Sequence, residues 1–275
     1  MTLNTRNKLL LFFSIASSLC AAVFTAVLIW LIIKKPQHIS LLFTLPQGQS
    51  FFRLLITPNY TAAFFSLLIF SFFVPAVSFS VYFNFEKTQS LEVLFFCSAL
   101  IGVLTESFKL CIPLFGITAG YSGFLRFLGQ AAFFGQMEIL LSIITQGVLA
   151  AGGENRDSDK YLGIIIIIAL IFSTTIPLNT TVFENYMHIN YGFKNLFGII
   201  RIVFILCTFL ILFFSPKSKE SLDYKRASVD FLLICGGYIA LLHCNTFVIL
   251  AVGIPLLFAG TVHFLKNMHK YYMWK

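Results

Sequence analysis

Charge is scarce in this 275-residue chain: Asp, Glu, Lys and Arg together make up 11% of it, where a soluble domain carries about 25%. A water-soluble globule needs a hydrated, charged surface, and there is too little here to build one. Proline and glycine are sparse, at 8 and 17 residues, which excludes collagen-like and Pro/Gly-rich disordered chains. The six cysteines, Cys20, Cys97, Cys111, Cys207, Cys235 and Cys244, fall in or beside apolar runs without CxxC spacing or a histidine suitably spaced to share a metal. Neither a disulfide framework nor a zinc site is expected from that pattern. Walker A, GxGxxG, HExxH and EF-hand patterns are missing too, so no cofactor and no metal is expected.

What is present is apolar: 58% of the residues are hydrophobic, 34 of them Phe. A domain of this size leaves much of its surface in contact with solvent, and apolar patches that large aggregate in water. The solvent must be lipid, and the bilayer is the first partner. The formal net charge of +8 does not point to nucleic acid, because the basic residues lie between apolar runs, as anionic cytoplasmic leaflets favour.

A helix crossing about 30 Å of hydrocarbon needs about 20 apolar residues. Runs of that kind cover 9–33, 60–83, 91–115, 123–149, 161–178 and 196–214. The stretch 229–265 is too long for one helix and is interrupted by His243, Cys244 and Asn245, which predicts two helices, 229–243 and 246–265, joined by a tight turn. Counting both gives eight crossings; seven with a re-entrant segment is the other reading, since Phe231 to Leu242 is short for a full span. The segments are helices and not barrel strands, because Gly163 to Ile171 reads GIIIIIALI with no polar alternation. The fold class is therefore an all-α polytopic transmembrane bundle forming a single membrane domain over 1–275.

Orientation follows from Lys and Arg. With the N terminus in the cytoplasm, twelve of the 19 fall on the inner side, Lys34, Lys35, Arg53 and Lys194 fall on the outer side, and Lys109, Arg126 and Arg201 lie within spans. That bias predicts both termini inside an inner or plasma membrane. The first run, at 25 residues, exceeds the 7–15 of a signal-peptide apolar region and reads as an anchor. Leu19 before Cys20 also departs from a lipoprotein box, which takes a small residue there.

Two outer loops carry information. Gln49 to Thr57, with Phe51, Phe52, Leu54, Leu55 and Ile56 around Arg53, suits a short helix lying on the membrane surface. The segment 179–195 brings Glu184, His188, Phe183, Tyr186, Tyr191 and Phe193, whose aromatics read as an interfacial belt.

Charges within spans are costly and are the natural functional candidates. Glu106 and Lys109, in the outer half of the third span, are three residues apart and share a face with Gly102 and Ser98. Arg126 and Arg201 enter from the outer side at a matching depth. On the fourth span Gln130, Glu138, Ser142 and Thr145 fall within an arc of about 120° at ~100° per residue. A polar seam between spans three and four is expected, ordering the bundle or lining a path for a solute. Glu138 lies near the midplane with no basic residue within four positions on its helix. Glu92 and Asp230 start their helices and read as dipole partners.

Gly120-Tyr121-Ser122-Gly123 resembles the Gly-x-Ser-Gly of rhomboid intramembrane proteases over about ten residues, with Gly129 following. That resemblance implies a serine nucleophile at Ser122 and a histidine base on a later span. His188, His243 and His263 all lie at the wrong depth or in loops, and Gly-Ser-Gly is ordinary turn sequence. The expected polar pocket is Glu106, Lys109, Arg126, Gln130, Glu138 and Arg201. Its expected role is permease-like handling of a small polar or anionic solute; the alternative is a sensor or a subunit that assembles with a membrane-protein partner. An intramembrane enzyme ranks below both.

Overall fold

The computed structural model describes residues 3–34, 55–88, 90–115, 122–152, 158–183, 189–215, 217–218 and 221–273. Among the described residues there are eight long helices: α1 (Leu3–Lys34), α2 (Tyr60–Asn84), α3 (Leu91–Phe115), α4 (Ser122–Gly152), α5 (Ser158–Thr175), α6 (Lys194–Phe214), α7 (Leu222–Leu242) and α8 (Phe247–Met273). Six of them, all but α5 and α7, are long and apolar enough to cross a membrane. The C-terminal apolar stretch forms two helices, α7 and α8, joined by a turn at 243–246; they run beyond the expected 229–243 and 246–265 at their far ends.

Burial separates central helices from peripheral ones. In the apolar windows of α2, α3 and α4, 67% of residues are buried, against 22% for α1 and 17% for α6. The exposed faces are themselves apolar, with Ile199, Ile202, Val203, Leu206 and Leu210 on α6 and Ile164, Ile167, Leu170 and Ile171 on α5. In water such faces would associate; in hydrocarbon they cost nothing, so helix contacts must come from close packing and polar bonds. Glycines supply the close packing. Gly237 of α7 lies against the backbone of Leu257 on α8, and Gly260 of α8 against Ile234 on α7, which brings this pair together along its length.

Local sequence fixes the ends and bends. Asn59 accepts from the Thr61 amide at 2.9 Å and caps α2. Pro113 withdraws one helical N–H and crowds the carbonyl of Lys109, and the chain tightens into a 3₁₀ turn over Phe108–Leu110 in the middle of α3. Pro75 and Pro255 sit inside α2 and α8. At the end holding the N terminus, Arg6 donates to the carbonyl oxygens of Phe85 and Thr88 at 2.5 Å each, and Asn7 to that of Glu86 at 2.9 Å, tying α1 to the turn after α2.

The described part of 179–195 holds an element that periodicity did not predict. Strand β1 (Leu178–Phe183) pairs antiparallel with β2 (Ile189–Tyr191), with Leu178 opposite Tyr191 and Asn179 opposite Asn190. The chain then enters α6 through Phe193 in the left-handed region at φ 60°, a conformation uncommon for a residue other than glycine. Glu184, Tyr186, His188 and the surface helix expected over Gln49 to Thr57 lie outside the described residues, Leu55, Ile56 and Thr57 excepted.

Candidate functional site

The site begins with two glycines. Gly102 of α3 and Gly135 of α4 face each other so closely that a Cβ on either would collide with the other's carbonyl oxygen. Thr105 is the third member of this crossing: its Oγ1 would meet a Cβ on Gly135, and it donates to the Gly102 carbonyl at 2.8 Å. With the backbones this near, short polar side chains on both flanks of the crossing reach the opposite helix.

On one flank lies the expected seam. Ser98 of α3 donates to Glu138 Oε1 at 2.5 Å, and Ser142 donates to Ser98 at 3.1 Å. All three are buried, and Glu138 Oε2 has no hydrogen-bond partner among the described residues. A buried carboxyl with one satisfied oxygen is held in place but incompletely compensated.

On the other flank, Gln136 Nε2 donates to Glu106 Oε1 at 2.7 Å. Gln136 Oε1 accepts from Arg201 Nη2 at 2.8 Å and from the Tyr191 hydroxyl at 3.2 Å. The amide orientation follows from these partners, since a carboxylate only accepts and a guanidinium only donates. Lys109 lies 2.5 Å from Glu106 Oε2; the 3₁₀ turn makes this pairing geometric, because side chains three apart eclipse in that winding. Arg201 Nη1 approaches His243 Nε2 at 3.2 Å, which makes that nitrogen the acceptor and puts the ring proton on Nδ1.

Five segments hold this network: α3, α4, α6, the β1–β2 hairpin and the α7–α8 turn. Arg201 is delivered by α6, which docks where Gly147 of α4 meets Thr208, whose hydroxyl donates to the Ile143 carbonyl at 3.2 Å. Tyr191 is held between Phe133 and Phe197, at ring distances of 5.0 and 6.1 Å. Burial pushes its phenol above the usual range, with the Arg201 cation opposing, so it stays a donor. His243 comes from the α7–α8 turn.

The charges do not balance among the described residues. Lys109 and Arg201 are both buried cations, and Glu106 is the one carboxylate bonded into their network. Beside them a cavity of about 10 Å³ is lined by Gln136, Arg201, Cys235 and Tyr238 among others. The buried Tyr238 hydroxyl has no hydrogen-bond partner among the described residues. An uncompensated cation next to a spare donor is the electrostatic complement of an anion.

Of the six expected pocket residues, the structure brings together Glu106, Lys109 and Arg201, and places Glu138 on the far flank of the same crossing. Arg126 is exposed and makes no ion pair among the described residues, and Gln130 is half-buried and outside the network. Gln136, Tyr238, Tyr191 and His243 were not expected in it. Ser122 is exposed at the start of α4, His243 bonds Arg201, and His263 is exposed, so no serine–histidine pair forms among these residues. No group of three His, Cys, Asp or Glu side chains converges among the described residues.

A second polar cluster occupies the end of the bundle that holds the N terminus. Glu92, expected to serve the α3 dipole, instead accepts from Lys217 at 2.9 Å, from Tyr224 at 3.0 Å and from Tyr272 at 2.5 Å. It thereby joins α3, α7, α8 and the 217–218 segment. Asp230 accepts from Asn267 at 2.7 Å, a further tie between α7 and α8. No protein-family model, curated protein or solved structure matches the chain.

Proposed function

We propose that this multi-pass membrane protein handles a small anionic solute at the Lys109–Arg201–Tyr238 side of its polar cluster, in the manner of a permease. The observation that carries the reading is the buried charge excess: two cations against one bonded carboxylate, with a spare phenol donor alongside. Charge is kept inside a membrane protein where it pairs or where it serves a path. Glu106 and Gln136 then act as positioning groups, holding Lys109 and the Arg201 fork.

The topology that goes with this reading has eight crossings, both termini in the cytoplasm of an inner or plasma membrane, and the cluster in the outer half of the bilayer. The lysine and arginine distribution supports it. Labelling of single cysteines placed at Ser122 and Lys225 by an impermeant maleimide in intact cells should mark the first and spare the second.

The functional test is flux of chloride, nitrate, phosphate and acetate into proteoliposomes. Flux of at least one anion that falls about tenfold or more in Arg201→Gln and Lys109→Gln supports the reading. No flux above protein-free vesicles for the whole panel, or flux unchanged in both variants, overturns it. A second reading, a membrane subunit or sensor, is favoured by the cavity volume of about 10 Å³, room for about one water. In that case the cluster fastens α3, α4 and α6 together, and a stoichiometric protein partner should co-purify in mild detergent.

A further inference from the structure

At the end of the bundle holding the N terminus, α1, α3 and α5 enclose an apolar groove of about 500 Å³. Leu9, Leu10, Phe12 and Phe13 form one wall, Leu94 and Ile101 the floor, and Leu162 and Ile166 the other wall. Its volume is in the range of sites that take a small organic ligand, about 300–1,000 Å³. Arg6 stands in its lining, next to Thr5.

The bonding of Arg6 is unusual for a cation. Its Nη1 donates to the carbonyl oxygen of Thr88, its Nη2 to those of Phe85 and, at 3.3 Å, Glu86, and Nε and Nη2 donate to Asn7 Oδ1. These acceptors are neutral. They fix the guanidinium in direction while leaving its full charge uncompensated, and Arg6 makes no ion pair among the described residues. A rigid cation held only by neutral acceptors at the edge of an apolar groove matches one kind of molecule: an anionic head on a hydrocarbon chain. The residues from 5 to 13 of α1 extend about 12 Å at 1.5 Å per residue, so the groove takes part of an acyl chain while its head stays level with Arg6.

We infer that this groove is a binding site for an anionic phospholipid of the leaflet on the N-terminal side, with an acyl chain between α1 and α5 and the phosphate on Arg6. The site needs only that the helices lie in a bilayer; it does not depend on the anion reading of the Arg201 cluster. Lys8 lies two residues further along α1 and is exposed, and it provides the control for a diffuse surface field.

The test is native mass spectrometry of the full chain, released from nanodiscs holding equal amounts of phosphatidylglycerol and phosphatidylcholine with the same acyl chains. The wild type should retain one phosphatidylglycerol in preference to phosphatidylcholine by about fivefold, the gain of one basic residue at an anionic headgroup. Arg6→Gln should abolish the preference, and Leu9→Trp, which fills the groove from its exposed rim, should lower retention of both lipids. Lys8→Gln should leave the preference intact. Equal retention of the two lipids by the wild type overturns the proposal, as does a loss in Lys8→Gln equal to that in Arg6→Gln, or unchanged retention in Leu9→Trp. Should Arg6→Gln loosen α1, Leu9→Trp and Lys8→Gln still decide the matter. Anion flux in proteoliposomes reads the other cluster and should be unchanged in Leu9→Trp, so failure of either reading is seen separately.

Discussion

Gly102 and Gly135 meet backbone to backbone at the crossing of α3 and α4, each occupying the space where a Cβ on the other would have to go. Both polar flanks depend on this contact, since Ser98 and Glu138 bond on one side of it and Glu106 and Gln136 on the other. A methyl group at either position strikes backbone, which cannot rotate away. Gly102→Ala and Gly135→Ala should each destabilise the protein by about 1–3 kcal/mol, the usual cost of overpacking. Gly123→Ala, where a Cβ meets nothing within 4 Å, is the matched control. Unfolding midpoints in detergent check the three together, and equal midpoints would show that the helices are not this close.

Gln136 is the joint between the carboxylate and the guanidinium. Gln136→Leu keeps much of the volume but strips a donor from Glu106 and an acceptor from Arg201 and Tyr191. Leaving buried groups unsatisfied costs about 1–3 kcal/mol each, more for charged ones. Destabilisation of at least that size, together with loss of the flux that defines the proposed function, is the expected outcome. Gln136→Glu should differ in kind: it gives Arg201 a charge partner, cancels the positive excess and sets a carboxylate against Glu106. If the excess cation recruits the solute, that variant loses anion flux while remaining folded.

Arg126 gives the opposite prediction. It matches Arg201 in depth along the sequence, yet it is exposed and makes no ion pair among the described residues. Arg126→Ala should therefore stay within about 0.5 kcal/mol of the wild type, as surface substitutions usually do, and leave anion flux unchanged. A thermal-unfolding scan and the same flux assay check it; a deficit comparable to Arg201→Gln would place Arg126 in the working site after all.

The contrast between these two arginines shows what the sequence could and could not convey. Position along a span gives an expected depth, which put Glu106, Lys109 and Arg201 on one level, and the structure joins these three in one network. Facing is set by how each helix rotates against its neighbours, and those contacts are long-range, so Arg126 and Arg201 looked equivalent. The seam through Ser98, Gly102, Glu138 and Ser142 was legible because residues three or four apart share a face within one helix. Gln136 escaped because it lies about 200° from Glu138 at ~100° per residue. Tyr191 and His243 come from a hairpin and a turn, where no helical period constrains the side chain. The close approach that organises all of them required two glycines on different helices to be matched, and only Gly102 stood out on its own helix.

Glu92 shows how a helix-start carboxylate can do more than serve a dipole. It is buried and bonded to Lys217, Tyr224 and Tyr272, so neutralising it strands an ammonium and leaves two phenols with a weaker acceptor. Glu92→Gln should cost about 3–5 kcal/mol, the range for breaking a buried pair from one side. Tyr224 adds a pH signature. Burial first, and the Glu92 carboxylate next, push its phenol well above the ordinary range. A group whose pKa is raised on folding contributes fully below its unfolded value, about 10 for tyrosine. That contribution is lost as pH climbs beyond it towards the folded value. Stability attributable to this hydroxyl should thus be flat up to about pH 10 and fall above it. The difference in unfolding midpoint between the wild type and Tyr224→Phe, followed from pH 8 to about 11, should shrink above that point. A difference that stays constant across the range would mean that the Tyr224 phenol ionises as freely folded as unfolded, and that it is not closed in against Glu92.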